Sequence, residues 1–490
     1  MTDHMPVSRD FPPFPSPDEI KKLYPSNLEL LQVQVLFRHG ERTPVRARFQ
    51  TWGLQPFWPF CKIAERFTQT IVSFPNEAAT PFEYVRRLES VARELPKNVP
   101  VPASGFKPGE HDGLCMLGEL TDLGRLTGFK LGEKLRRLYV DELKFLPQMF
   151  ADHSDFYFRS SHVARSNETL LSLFQALYPT TYRAPGLKPV IYTRLFPQEN
   201  AYPNDENCKR LSELGFMFAE IVAHKWNPVL AGRTSDLLRD VLPNGVAIDG
   251  SPARPASSTP SPPAWLTTSH SRTASKTTSA VIEEWYLGVQ KSKEYRTLAV
   301  GALAGDFLHR IKLAVAGDQK AHGINSGSLV DLFKGSSSAP KEQPVKLALY
   351  GSHDTTIASL LCALDAFDNK WPPFTSDLTF ELFAKPSPSS PSSSPSSSPK
   401  NPRDYYVRLS YNDEILHLPA CASPGTNLDG DSSFCALAAF SAAVDEFVPQ
   451  NWELGCRSNL NKTIVDAPEM DAAFKAIPRV EGAAMQKQQA

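Results

Sequence analysis

Apolar and polar residues alternate along Leu31-Gln-Val-Gln-Val-Leu-Phe37, the period of a β-strand. Val345 to Tyr350 reads as a second strand and Phe156-Tyr-Phe158 as a short aromatic one. The same alternation marks Leu378 to Phe383 and Tyr405 to Tyr411. Between the strands the period changes. Leu120, Leu123, Leu131, Leu135 and Leu138 fall near a 3.6-residue repeat, with Thr121 placed to cap the helix. Ser166 to Tyr178 and Thr355 to Phe367 read as further helices. Strands alternating with helices predict an α/β chain whose mostly parallel sheet is covered by helices on both faces. The rhythm weakens between residues 196 and 285, which are assigned to a cap.

Two stretches break the pattern. Residues 243–280 are rich in Ser, Thr, Pro and Ala, and residues 386–402 are almost purely serine and proline. Neither has the apolar content to offset its ordering entropy, so both are expected as mobile insertions. The second lies between two strand-like segments and so predicts the loop of an elongated hairpin. The resulting division is an extended N-terminal arm (1–25), one α/β domain (26–470) and a C-terminal tail (471–490).

Composition narrows the function classes. The 490 residues carry 52 basic and 53 acidic side chains, a net charge of −1. No global field draws such a chain to nucleic acid or to an anionic membrane, so anion attraction has to be local. No apolar run approaches the roughly 18 residues of a membrane span. Met1 to Pro25 holds no basic segment followed by an apolar core, and no Arg-rich amphipathic pattern. The expectation is an intracellular, cytoplasmic protein, with a mitochondrial location as the alternative. Seven dispersed cysteines without CxxC spacing argue against a disulfide scaffold and a zinc site, although Cys421 and Cys435 are close enough to bridge a loop. The sequons at Asn167 and Asn461 are read as chance. His111, His153, His162 and His417 have no ligand-like spacing, so no metal and no cofactor is expected.

The candidate chemistry lies at strand ends, where open α/β sheets place their ligands. The first strand runs into Arg38-His39-Gly40-Glu41-Arg42-Thr43-Pro44. The aromatic strand is followed by Arg159, and the strand ending at Tyr350 by Gly351-Ser352-His353-Asp354. If the strands are neighbours, three arginines, two histidines and a carboxylate converge. Arginine forks match phosphate oxygens, and a neutral imidazole can attack phosphorus. Arg38, Arg42, Arg159 and His353 are the candidate phosphate ligands, His39 the nucleophile and Asp354 the proton donor. Arg165 is expected only to anchor its helix. Each piece alone has a plainer reading: a basic turn, a helix cap, a surface ion pair. Their joint placement favours the site.

These motifs resemble the histidine acid phosphatase branch of the histidine phosphatase superfamily. Arg38 to Pro44 matches Arg-His-Gly-x-Arg-x-Pro, and His353-Asp354 matches its His-Asp pair. Arg159-Ser160-Ser161 and Gly118-Glu-Leu-Thr-Asp-Leu-Gly124 match two further stretches. The resemblance implies a phosphoglycerate-mutase-like α/β core, a mainly helical cap, and a phosphohistidine mechanism without metal. Within the branch, Asp368 to Leu382 and Tyr202 to Cys208 are similar to the lysophosphatidic acid phosphatases. The expected partner is therefore a small phosphomonoester, with a lysophospholipid leading. A sugar, nucleotide or inositol phosphate is the alternative, as is an inactive binding protein on the same fold.

Overall fold

The computed structural model describes residues 9–46, 58–71, 80–90, 109–111, 113–237, 287–322, 342–386 and 403–478. At its centre is β1 (Glu29–Arg38). Val33, Val35 and Phe37 point into one apolar cluster and Leu36 into another on the opposite face. Gln32 and Gln34 share the face of Leu36 and are buried with it. Their amides donate to Arg310 O at 3.2 Å and Phe307 O at 3.0 Å, on the helix that covers this face. Left unpaired, each would cost about 1–3 kcal/mol.

Two small antiparallel ribbons follow β1: β2 (Phe67–Ile71) with β3 (Thr80–Tyr84), and β4 (Leu88–Ser90) with β5 (Gly109–His111). The main sheet then gains β6 (Phe156–Ser160), β7 (Ile191–Tyr192), β8 (Leu347–Ser352), β9 (Asp377–Lys385) and β10 (Asp404–Tyr411). Short strands β11 (Glu414–Leu416), β12 (Asn427–Leu428) and β13 (Asp431–Ala436) complete it. Its order is β12-β13-β10-β9-β1-β8-β6-β7, with β11 on β10. The site-bearing strands β1, β8 and β6, with β7, run parallel. From β9 onward the sheet is extended by antiparallel pairs, so it is mixed. The predicted hairpin is present: β9 and β10 pair from Leu378↔Tyr411 to Lys385↔Asp404. Nearly all of its serine-proline loop lies outside the described residues, as do residues 243–280 and 479–490.

Helices cover both faces. They include α1 (Pro17–Leu23), α2 (Asp122–Leu135), α3 (Ala164–Leu177), α4 (Lys209–Leu237), α5 (Ala302–Ala321) and α6 (Asp354–Ala363). Thr121 caps α2 as expected, its hydroxyl accepting from Gly124 N at 3.1 Å. Leu131 and Leu135 of α2 join Leu170, Leu173 and Phe174 of α3 in the cluster beneath Val33, Val35 and Phe37. The described part of the cap is largely α4; residues 238–286 lie outside the described residues.

Three expectations change. The N-terminal segment is not merely extended. Its helix α1 starts with a Ser16–Glu19 capping box, and the following Tyr24 hydroxyl donates to buried Glu381 at 2.6 Å. Arg408 and the Tyr139 hydroxyl meet the same carboxylate at 2.7 and 2.9 Å, and Arg9 pairs with buried Asp377. These anchors are single polar residues that composition does not reveal. At the other end, helix Pro468–Lys475 crosses the boundary drawn for the tail. The cysteines also pair: Cys61–Cys115, Cys208–Cys456 and Cys421–Cys435, with only Cys362 left free. Partners 54 and 248 residues apart carry no spacing signal, but the fold brings their Cα atoms to 5.0 and 4.7 Å.

Candidate functional site

The three strand ends picked out in the sequence are adjacent. Arg38 stands opposite Ser352 across β1 and β8, and Arg159 opposite Tyr350 across β6 and β8. The turn after β1 is pinned from three sides. His39 N donates to Ser352 O at 3.2 Å, Thr375 N to His39 O at 3.2 Å, and Gly40 N to Thr169 Oγ1 at 3.0 Å. The turn rests on the first turn of α2 so closely that a Cβ on Gly40 would sit 2.2 Å from Gly124 O. Only glycine fits there.

His39 is buried, and its Nδ1 lies 2.9 Å from Gly40 O. A carbonyl can only accept, so Nδ1 carries the proton and the Nε2 lone pair is available. Burial first, then the charges of Arg165, Arg38, His353 and Arg42, hold His39 well below the usual histidine range. Both effects favour the neutral imidazole, the form a nucleophile requires.

His353 precedes α6 in extended conformation and is fully buried. Ser161 Oγ lies 3.0 Å from its Nε2 and Ser166 Oγ 3.4 Å away. A serine hydroxyl that donates to Nε2 leaves the proton on Nδ1, which has no hydrogen-bond partner among the described residues. A buried donor of this kind fits an anion in the site. Burial, then Arg165, Arg42 and Arg38, lower its basicity as well.

Asp354 opens α6. Its Oδ1 accepts from Thr355 N at 2.8 Å and its Oδ2 from Trp371 Nε1 at 3.2 Å, and Oδ2 forms an ion pair with Arg38 Nη2 at 2.8 Å. The Arg38 guanidinium also stacks 3.9 Å above the Phe374 ring, which lies 5.7 Å from the His39 ring. Arg42, half-buried, contributes charge to both histidines and donates to Thr43 O at 3.0 Å. Glu41 turns away toward Thr127, whose hydroxyl donates to it at 2.6 Å.

The structure brings Arg38, His39, Arg42, His353 and Asp354 together, but it places Arg159 elsewhere. β6 continues to Ser160, two residues past the expected end at Phe158. Phe156 and Phe158 face the α2–α3 side, so the twofold period of a strand puts Arg159 on the opposite face with Tyr157. There its guanidinium meets Asp306 of α5 at 3.1 Å, Glu199 at 2.6 Å and Asn200 at 2.6 Å.

The third arginine of the cluster is Arg165, expected only to anchor a helix. It lies in the first turn of α3, where its charge reaches both histidines and Asp354. Burial, and after it the neighbouring Arg38, push its guanidinium down to about 10 against the opposing pull of Asp354. A signal was available: Arg165 follows β6 in the way that Asp354 follows β8, at the start of the next helix. Trp371, Phe374 and Ser161 were also missed, because apolar and hydroxyl residues carry no charge pattern. Among the described residues, no group of three or more His, Cys, Asp or Glu could hold a metal ion. No helix among them is long and apolar enough to cross a membrane.

Comparison with known proteins identifies the family. A probable acid phosphatase of Schizosaccharomyces pombe is 34% identical over 484 residues, covering 90% of this chain and 97% of its own. Human lysophosphatidic acid phosphatase type 6 is 28% identical, covering 73% of this chain and 74% of its own, and human prostatic acid phosphatase is 25% identical over 69% and 79%. The fold is similar to that of Hafnia alvei phytase in complex with myo-inositol hexakis sulphate, with a TM-score of 0.50 at 14% identity over 88% of this chain and 99% of that one. Residues 29–412 match the histidine phosphatase superfamily (branch 2), a span that holds both the His39 turn and the His353-Asp354 pair. The chain belongs to branch 2 of the histidine phosphatase superfamily and is a phosphomonoester hydrolase of the acid phosphatase kind.

Proposed function

We propose that the chain cleaves phosphate monoesters in two steps through a phosphohistidine on His39. His39 Nε2 attacks phosphorus, the P–O ester bond breaks, and the leaving oxygen takes a proton from Asp354. Water then loses a proton to the Asp354 carboxylate and attacks phosphorus, the P–N bond breaks, and inorganic phosphate leaves. Arg38, Arg42 and Arg165 hold the phosphoryl oxygens, and His353 Nδ1 donates a further hydrogen bond. The observation that carries this reading is His39 with its proton held on Nδ1 by Gly40 O, 5.4 Å from the ring of His353, whose Nδ1 has no partner among the described residues, in the field of Arg38, Arg42 and Arg165.

A lysophospholipid is the leading substrate, supported by the likeness to lysophosphatidic acid phosphatase type 6. A screen of phosphate release from lysophosphatidic acids against sugar, nucleotide and inositol phosphates tests it. The expected result is highest kcat/KM with a lysophosphatidic acid, and a clear preference for a hydrophilic monoester reverses the choice. In the same screen His39→Ala is expected to release no phosphate from any substrate. For the compartment, three cystines favour an oxidising environment over the cytoplasmic expectation. Because Cys362 is buried, alkylation is done in denaturant, before and after reduction, and is expected to count one free thiol and then seven; seven from the start would contradict it.

A further inference from the structure

We infer that the leaving-group side of this site selects an apolar, uncharged alcohol moiety and disfavours a second phosphate. The inference rests on the proposed phosphatase reading and extends it to the part of the substrate that the catalytic residues do not touch. The leaving oxygen must lie within reach of Asp354, in the first turn of α6. The same turn holds the loop at Ala201, whose carbonyl accepts from Thr356 Oγ1 at 2.6 Å. Tyr202 follows, its ring edge-on to the His353 ring at 5.6 Å.

From Tyr202 a line of rings leads outward. Tyr202 is 4% exposed, and His162 lies 5.9 Å from it at the surface. Phe196, 40% exposed, stands 5.4 Å beyond His162, and the neighbouring Leu195 is 75% exposed. Trp371 and Phe374 close the site on the Arg38 side. A graded path from a buried catalytic histidine to exposed apolar side chains is a surface on which an alkyl or acyl chain gains by leaving water.

The charges beside this path argue the same way. His162 is the one titratable base on the path itself, and the two arginines described beside it, Arg159 and Arg194, are both occupied. Arg159 is paired with Glu199 and Asp306, and Arg194 meets Asp306 at 2.7 Å. A second phosphate on the substrate would meet these carboxylates and would have to displace them from their arginines. A chain without charge meets no such penalty.

The test uses n-alkyl phosphates from ethyl to octyl, below their aggregation concentrations, with hexane-1,6-diol bisphosphate as the charged counterpart of hexyl phosphate. Alkanols differ little in acidity, so the chemical step is constant and chain length reports binding. With methylenes about half buried, kcat/KM is expected to rise about twofold per added CH2. Hexyl phosphate should exceed the bisphosphate at least tenfold. In Phe196→Ala the octyl-to-ethyl ratio should fall toward one; a ratio within one preparation is insensitive to partial misfolding. A flat chain-length profile in the wild type, a slope that Phe196→Ala leaves intact, or a preferred bisphosphate would each overturn the inference. Release from no member of the series, ethyl phosphate included, would instead remove the phosphatase reading, and the inference with it.

Discussion

Arg159 and Arg165 present opposite predictions, and the two substitutions separate sequence expectation from geometry. Arg165 is 6% exposed and lies among Arg38, both site histidines and Asp354. Unit charges about 4 Å apart interact by about 4 kcal/mol at an effective dielectric of about 20. Loss of one such donor from the transferring phosphoryl group is expected to cut kcat/KM by about 10²–10³. Stability should fall little, because Arg165→Ala also removes a buried cation held close to Arg38. Arg159→Ala should do the reverse. It leaves Glu199 and Asp306 without the guanidinium that joins them, and breaking a buried ion pair from one side costs about 3–5 kcal/mol. The assay is p-nitrophenyl phosphate turnover per phosphorylatable enzyme, beside urea unfolding of each variant. Pairing Arg159→Met with Glu199→Gln should recover part of the lost stability, since the orphaned charge is then gone too. A hundredfold loss of turnover in stably folded Arg159→Met, with Arg165→Ala unaffected, would refute the assignment.

The two site histidines make the fold itself sensitive to acid. Burial and the surrounding arginines hold both well below the usual histidine range in the native site, while the unfolded chain protonates them below about pH 6.5. The unfolded state then binds more protons, so stability falls as pH drops below about 6.5, by up to about 2.7 kcal/mol per unit for the pair. Urea unfolding at stepped pH should show His39→Asn and His353→Asn each removing about half of that slope, and slopes equal to the wild type would contradict it. Trp371→Phe removes a donor from the proton-transfer carboxylate while keeping a ring. Ethyl phosphate turnover should fall about three- to tenfold and p-nitrophenyl phosphate turnover less, because a good leaving group needs little protonation. Equal slowing of the two would mean that Trp371 does not act through Asp354.

The parts of the fold that sequence made legible are those where periodicity and chain order coincide. The alternation from Leu31 to Phe37, the capped repeat from Thr121 to Leu138 and the paired flanks at 378–383 and 405–411 all became the expected elements. Five of the six candidate site residues meet because parallel strands align their C-terminal ends. Arg159 was misplaced because a strand two residues longer decides which face an arginine takes. Arg165 was overlooked because a helix anchor and an anion ligand look alike without a third dimension. The cystines and the Tyr24–Glu381–Arg408 network depend on contacts between residues far apart in the chain, which no local pattern encodes.

The central claim is the covalent bond between His39 and phosphorus. Rapid mixing with a radiolabelled aryl phosphate, quenching in denaturant at alkaline pH and peptide mass spectrometry test it directly. The account predicts an acid-labile, base-stable phosphoramidate on the peptide containing His39, formed within the first turnover and trapped more abundantly in Asp354→Asn. Steady turnover with no labelled protein at any time, or label on a residue other than His39, would contradict it.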